Sequence, residues 1–475
     1  MSMVFRLLKK LNPDEEKLNC FINDSFVGNI YAFFTRCFSF WTNKFSKDSI
    51  ILTNLDNIYF CILLLLIFSI PFLSTSPLGI LASILIAISF LKSIFTHKKF
   101  EFSAIHLPII IYLFILCLSV GFSSLLIPSL KGLAKMLIYI GAFFSFFEFF
   151  KNNKNKIFPT IIAIAVSCSF ELLFALKQMI FGVSALAGWQ DMSHINAEHI
   201  MNRVFGTLKP YNPNLFAAYL LACAPTIFVS AIYAFIKGKY KLSIVGGAFA
   251  LLSLATIIQT GCRGAYIGLF FGGIAFALLM YNSFKNYLIQ NKNFKKIVLF
   301  SFMGLIILGI LAVLLSPSIL HRLESIFTLR GDSSNSYRMN VYISSLKMFM
   351  DNFWVGIGTG NTTYRLIYGL YMVTGFDALG AYNIYLEMAV ESGIFAPLTF
   401  IWMMILAFAK SIKKLFTLPV EMKLLLIALL SAIIAMLFHG FFDTVWYRPQ
   451  LQLIFWLYMA IIAVITMKGF AYEQR

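Results

Sequence analysis

Charge is the scarcest commodity in this chain. Of its 475 residues only 12% are Asp, Glu, Lys or Arg, about half of what a soluble globular chain carries. Acidic residues are scarcest of all, 20 against 38 basic ones. With 60% hydrophobic residues, 52 Phe and 21 Tyr among them, a soluble enzyme of this length could not hide its apolar surface. The 7 cysteines and 6 histidines are few and unpatterned. No CxxC pair occurs, and no Cys/His spacing matches a metal site, so neither a metal nor a cofactor is expected, nor a structural disulfide. Cys61, Cys117, Cys168 and Cys223 lie inside apolar runs and read as small hydrophobes. Residues 1–49 are polar, lysine-bearing and too long for a cleavable signal peptide.

What the chain has instead is long apolar runs and a mean hydropathy of +0.84. Spanning about 30 Å of hydrocarbon takes about 20 apolar residues as helix. Twelve runs qualify, near 55–74, 78–95, 105–122, 133–150, 157–181, 213–236, 242–260, 263–281, 296–316, 382–408, 421–440 and 449–467. The fold class read from them is all-α: a polytopic membrane protein of about twelve transmembrane helices, with a transmembrane domain over 51–470 and an N-terminal arm at 1–50. No internal repeat is visible.

The net charge of +18 would point to nucleic acid in a soluble protein, but here it divides by side. Seventeen lysines, from Lys92 to Lys423, fall in alternate connections. The positive-inside rule makes those connections, the arm and both termini cytoplasmic. No nucleic-acid partner is expected; the partner is the bilayer. Seven of the ten arginines fall on the opposite side: Arg203, Arg263, Arg322, Arg330, Arg338, Arg365 and Arg448. They cannot be topology signals, and a guanidinium fork suits phosphate or carboxylate.

Two outer connections are long, 182–212 and 317–381. The second, between runs nine and ten, is far longer than an ordinary connection. Within it Met339, Tyr342, Ile343, Leu346, Phe349, Met350 and Phe353 make a helical stripe, with Asp332 to Asn335 as cap residues. This predicts a structured outer loop with an amphipathic helix on the membrane face or the bundle mouth. Gly356, Gly358 and Gly360 lack the strand that a dinucleotide motif requires and read as a turn ending at Asn361, a candidate binding residue.

Five groups carry candidate chemistry. Arg263 sits between two apolar runs at the start of the eighth, where the helix dipole is already positive; an anion such as diphosphate suits that place, against a snorkelling surface arginine. Arg203 precedes Asn212 and Pro213, which read as a helix cap, and Asn214, whose amide suits either a sugar hydroxyl or a neighbouring helix. Arg338, with Arg322 and Arg330 before it, would clamp phosphates, or sit as solvated cations. Tyr382 and Asn383 lead to Glu387 and Glu391, carboxylates one turn apart in an apolar span, read as functional groups or as structural anchors. His439, Asp443 and Arg448 close the last outer connection, the histidine a base or a packed imidazole.

In this order, "GTLKPYNPNLFAAYLL", "QTGCRGAYIGL", "RMNVYISSLKMFMDNFWVGIGTGN" and "AYNIYLEMAVESGIF" resemble blocks of the O-antigen ligase and polymerase superfamily, over a core at 203–400. "GWQD" at 188–191, "AYNIYLE" and "DTVWYRPQLQLIFWL" resemble, more narrowly, the cyanobacterial-type subgroup named as inorganic-carbon (bicarbonate) transporters. The wider resemblance implies a metal-independent enzyme of the bacterial inner membrane that moves glycan from a polyprenyl-diphosphate donor to a lipid or glycan acceptor at the outer face. It implies catalytic roles for Arg263 and Arg338, and a histidine before the Asn of the tenth run. Here that position holds Tyr382, a poor base at neutral pH, which leaves Glu391, Asp443 and His439 as candidates. Arg203, Asn214, Arg322, Arg330, Asn361, Asn383, Asp443 and Arg448 are the expected substrate-binding set. A small-anion transporter and a non-catalytic binder of lipid-linked glycan are the alternatives.

Overall fold

The computed structural model describes residues 12–25, 54–96, 101–183, 203–290 and 333–470, with isolated positions at 28–29, 32–33, 36 and 320. Among the described residues every regular element is a helix. They are α1 (Glu15–Asp24), α2 (Leu55–Ser69), α3 (Thr75–Thr96), α4 (His106–Gly121), α5 (Leu126–Asn152), α6 (Ile157–Phe181), α7 (Pro213–Ile236), α8 (Tyr240–Gln259), α9 (Arg263–Gln290), α10 (Ser333–Asp351), α11 (Asn361–Tyr368), α12 (Ile384–Ser392), α13 (Phe395–Leu415), α14 (Val420–His439) and α15 (Pro449–Thr466). Nine of them, α3, α5 to α9 and α13 to α15, are long and apolar enough to cross a membrane, while α2 and α4 are shorter apolar helices. The ninth predicted run, 296–316, lies outside the described residues, as do Arg322 and Arg330.

At the centre stands α15, apolar on every side and buried along its whole length. Several of its polar side chains find partners inside the bundle. Trp456 donates to Gln452 Oε1 at 2.8 Å, and Tyr458 donates to the Ala222 carbonyl of α7 at 2.9 Å. Helices α5, α13, α7, α3 and α14 surround it. The tightest approach is between α9 and α14. A Cβ at Gly268 would lie 2.7 Å from the Ala435 carbonyl oxygen, and one at Gly272 would lie 2.7 Å from Ala435 Cβ. Small residues at this spacing let two helix backbones meet. The contact draws the start of α9 against the end of α14.

The lysine-bearing connections share one end of the bundle. Lys237 pairs with Glu421 at 2.8 Å, and Lys154 and Lys414 both lie over the Phe470 ring, at 5.2 and 5.7 Å. At this end α1 is docked against the bundle. Glu15 is ion-paired with Lys410 and accepts from the backbone N–H groups of Ala104 and Lys468, each at 3.1 Å.

At the opposite end residues 333–381 fold into a small unit with a core of Val341, Met348, Tyr364 and Tyr368. The amphipathic helix is present as α10, but its orientation differs from the stripe read in the sequence. The buried side holds Val341, Ser344, Ser345, Met348 and the stripe's own Phe349, whereas Ile343, Leu346 and Met350 are exposed. Hydroxyls could be buried because they are satisfied: Ser345 Oγ is 2.6 Å from both the Val341 carbonyl and Tyr364 OH. Ile343, Leu346 and Met350 are left facing outward, as lipid contact would allow.

The glycine turn forms as expected, with φ of 72°, 103° and 102° at Gly356, Gly358 and Gly360. It is a buried joint. A Cβ at Gly358 would fall 2.2 Å from Ser129 Oγ, and one at Gly360 would fall 2.9 Å from Gly132 Cα on α5. The tenth predicted run is not continuous: it divides into α12 and α13 at Gly393, whose φ is 74°. The Phe353 carbonyl enters the gap and accepts from Ile394 N–H at 3.0 Å.

Candidate functional site

Four chain segments converge at the arginine end. The first is 203–212, fastened to α6 by Glu171, whose carboxylate accepts from Thr207 N–H at 2.5 Å and Thr207 Oγ1 at 2.7 Å. Gln178 Oε1 accepts from the N–H groups of Phe205 and Gly206 at 3.1 and 2.9 Å. The second is the turn Thr260–Cys262 with the start of α9. The third is α10 with Tyr382, and the fourth is the end of α14 with Asp443. Two bonds join the last pair: Ile384 N–H donates to the Gly440 carbonyl at 2.8 Å, and Tyr342 OH lies 3.2 Å from the Tyr382 carbonyl and 3.4 Å from that of Phe441.

Within this convergence Arg203 donates through Nε to the Thr260 carbonyl at 2.7 Å and through Nη2 to Asn214 Oδ1 at 2.5 Å. Asn214 Nδ2 in turn donates to Asp443 Oδ2 at 2.7 Å. The amide therefore joins a guanidinium to a carboxylate, and both of its ends are engaged. Asn212 caps α7, accepting from Asn214 N–H at 2.8 Å, with Pro213 at the first helical position, as the sequence predicts. Asp443 is buried, and its second oxygen accepts from Val445 N–H at 3.1 Å.

Cys262 Sγ lies 3.5 Å from His439 Nε2, and both residues are buried. Burial works against ionisation of this thiol, but the His439 contact outweighs it, and the group sits below the ordinary cysteine value. Arg263 follows at the first position of α9, only 8% exposed. Its neighbour Gly264 shows how tightly this corner is packed: a Cβ there would meet Phe442 Cβ at 3.0 Å and His439 Cδ2 at 3.5 Å.

Arg338 lies with its guanidinium 5.8 Å from the centre of the Tyr382 ring, and its charge reaches His439 and Tyr342. Its Nε is buried and has no hydrogen-bond partner among the described residues. Buried donors are nearly always satisfied, so an unsatisfied guanidinium nitrogen calls for an acceptor. Tyr382 has a left-handed backbone, φ 53°, uncommon for an aromatic residue. Burial, with Tyr337 and Asp443 nearby, pushes its phenol above the ordinary tyrosine value. That phenol keeps its proton at neutral pH and can donate but not abstract.

Other candidates stand elsewhere. Asn383 caps α12, its Oδ1 accepting from Tyr385 N–H and Leu386 N–H at 3.0 Å each. Glu391 accepts from Gly360 N–H at 2.9 Å, and Glu387 accepts from Ala381 N–H at 2.7 Å, so both carboxylates hold backbone turns. Asn361 is exposed and donates to the Leu379 carbonyl at 2.9 Å. Arg365, also exposed, pairs with Asp377 at 2.7 Å. Arg448 is exposed at the start of α15, near Tyr139 of α5. Sequence reasoning did not single out Cys262, although it directly precedes the arginine judged most informative. Nothing in sequence spacing tied it to His439, which is far along the chain.

Among the described residues no group of three His, Cys, Asp or Glu side chains stands close enough to hold a metal ion. Residues 248–401, about a third of the 475, match the family model described as O-Antigen ligase. That match supports the superfamily read from the sequence motifs, and it includes Arg263, Arg338 and Tyr382. A search of curated proteins found none that matches the chain. With its many apolar helices, the chain is a multi-pass membrane protein similar over this stretch to the O-antigen ligases.

Proposed function

We propose that this protein transfers or polymerises glycan from a polyprenyl-diphosphate donor at the outer face of the bacterial inner membrane, onto a lipid or glycan acceptor. The observation that carries the reading is the buried, unpartnered Nε of Arg338 in the same convergence as the buried Arg263. A diphosphate accepts hydrogen bonds and gains negative charge as the glycosidic bond breaks, and fixed guanidinium groups stabilise it most at that moment. The start of α9 adds the partial positive charge of a helix N-terminus. The exposed apolar side of α10 offers the polyprenyl chain a path beside the site. Arg203 and Asn214, by holding Asp443, fix the far wall; Asn361, Asn383 and Arg448 belong to the frame of this reading. In this orientation the lysine end, with α1, faces the cytoplasm.

The test is the surface-glycan and lipid-linked-donor profile of a strain lacking the gene. Loss of polymer with accumulation of donor is expected, and Arg263→Ala should reproduce it. Unchanged glycan together with lost uptake of labelled bicarbonate would instead establish the anion-transport alternative.

A further inference from the structure

Glycan transfer, the reading on which this inference rests, needs a proton acceptor. The acceptor's hydroxyl oxygen attacks the anomeric carbon, the bond from that carbon to the diphosphate oxygen breaks, and the diphosphate leaves with the electron pair. The hydroxyl proton must go to a basic atom at the site. Tyr382 is ruled out by its protonated phenol. Asp443 has both oxygens engaged, by Asn214 Nδ2 at 2.7 Å and Val445 N–H at 3.1 Å. Glu391 is turned to the Gly360 backbone at 2.9 Å. The imidazole in this convergence belongs to His439.

We infer that His439 takes the acceptor's proton on Nδ1, and that Cys262 is the positioning residue that holds the ring for it. The geometry is that of a base with an orienting partner. Sγ of Cys262 lies 3.5 Å from Nε2; in the tautomer this role requires, Nε2–H donates a hydrogen bond to sulfur and the lone pair is left on Nδ1. An added Cβ at Gly264 would stand 3.5 Å from His439 Cδ2, so the start of α9 lies beside the adjoining edge of the ring. The charged and titratable groups around the imidazole come from every segment of the site. Cys262 comes from the turn into α9, Arg338 from α10, and Asp443 from the stretch after α14. Asp443 favours the imidazolium that forms, and Arg338 opposes it until the diphosphate charge develops. In a neutral site with Arg338 paired to the leaving group, the proton moves to His439 as the bond breaks.

The experiment uses membranes of the deletion strain carrying each full-length variant, and follows transfer of the endogenous lipid-linked glycan across pH. Binding of a polyprenyl diphosphate to the detergent-solubilised protein is measured alongside. His439→Ala should lose transfer about a hundredfold or more at neutral pH, bind polyprenyl diphosphate as the parent does, and recover part of the transfer when imidazole is added. His439→Gln, which keeps a donor to Cys262 and guards against a folding defect, should be equally slow. Cys262→Ser should keep most of the transfer but move the acid limb of the pH profile. Transfer by His439→Ala within threefold of the parent, or an acid limb unchanged in every variant, overturns the inference and leaves the glycan reading standing. A parent that transfers nothing at any pH, with Arg263→Ala equally without effect on surface glycan, overturns both.

Discussion

At the residue scale the site separates groups that carry charge from groups that hold them. On the proposed function Arg263 and Arg338 are the cations that meet the diphosphate, so Arg263→Ala is expected to lower transfer by about a hundredfold or more. Tyr382 keeps its proton and contributes its ring face to Arg338, so Tyr382→Phe keeps that contact and is expected to stay within about tenfold. Quantifying surface glycan for both variants decides it; equal and complete loss would give the Tyr382 hydroxyl a part in the chemistry. Glu391 belongs to the second kind. Because its carboxylate accepts from a buried turn N–H, Glu391→Ala should destabilise the solubilised protein by about 1–3 kcal/mol, while Glu391→Gln, which retains an acceptor, should recover most of that. A thermal-melt series in detergent reads both, and indistinguishable melting temperatures for Ala and parent would refute the anchoring role. The sequence made Arg263 legible because a charge between two apolar runs has so few reasons to exist. It could not distinguish Asn214 as a ligand from Asn214 as a bridge, since an amide at a helix start suits both, and only the fold brings Asp443 to it.

At the scale of elements the approach of α9 to α14 sets the position of the site, because it delivers Cys262 and Arg263 to the end of α14. Gly268→Ala would put a Cβ 2.7 Å from a backbone oxygen and should cost about 1–3 kcal/mol. Gly273, on the same helix, has nothing among the described residues within 4 Å of an added Cβ, and its alanine variant should melt at or slightly above the parent. Melting temperatures in the reverse order would show that the helices can slide apart without penalty. Most helices were legible from apolar length alone. Two features were not. The division of the tenth run depends on the Phe353 carbonyl, from another segment, entering at Gly393. The buried side of α10 depends on serines whose hydroxyls find partners, and hydrophobic periodicity assigns such residues to the wrong side.

At the scale of the whole molecule the two signs of information in the net charge of +18 occupy the two ends of the bundle. Cysteine labelling turns this into a measurement. With the native cysteines replaced by serine, a cysteine at Leu370, which is 83% exposed at the arginine end, should react with an impermeant maleimide on intact cells. One at Lys468, whose side chain is 77% exposed at the other end, should react only after permeabilisation. The opposite pattern would put the site on the cytoplasmic side and remove an outer-face transferase.

The position of α15 bears on how the protein is made. Every residue from Pro449 to Thr466 is enclosed by other helices, yet the ribosome delivers this segment after all of the helices that enclose it. Until it enters, the helices that pack on it, α5 and α13 foremost, lack their common centre, and the polar groups that Tyr458 and Gln450 satisfy stay open. Assembly of the bundle is therefore a late, post-insertion event, and a nascent chain halted before Pro449 presents the quality-control machinery with inserted but unpacked helices.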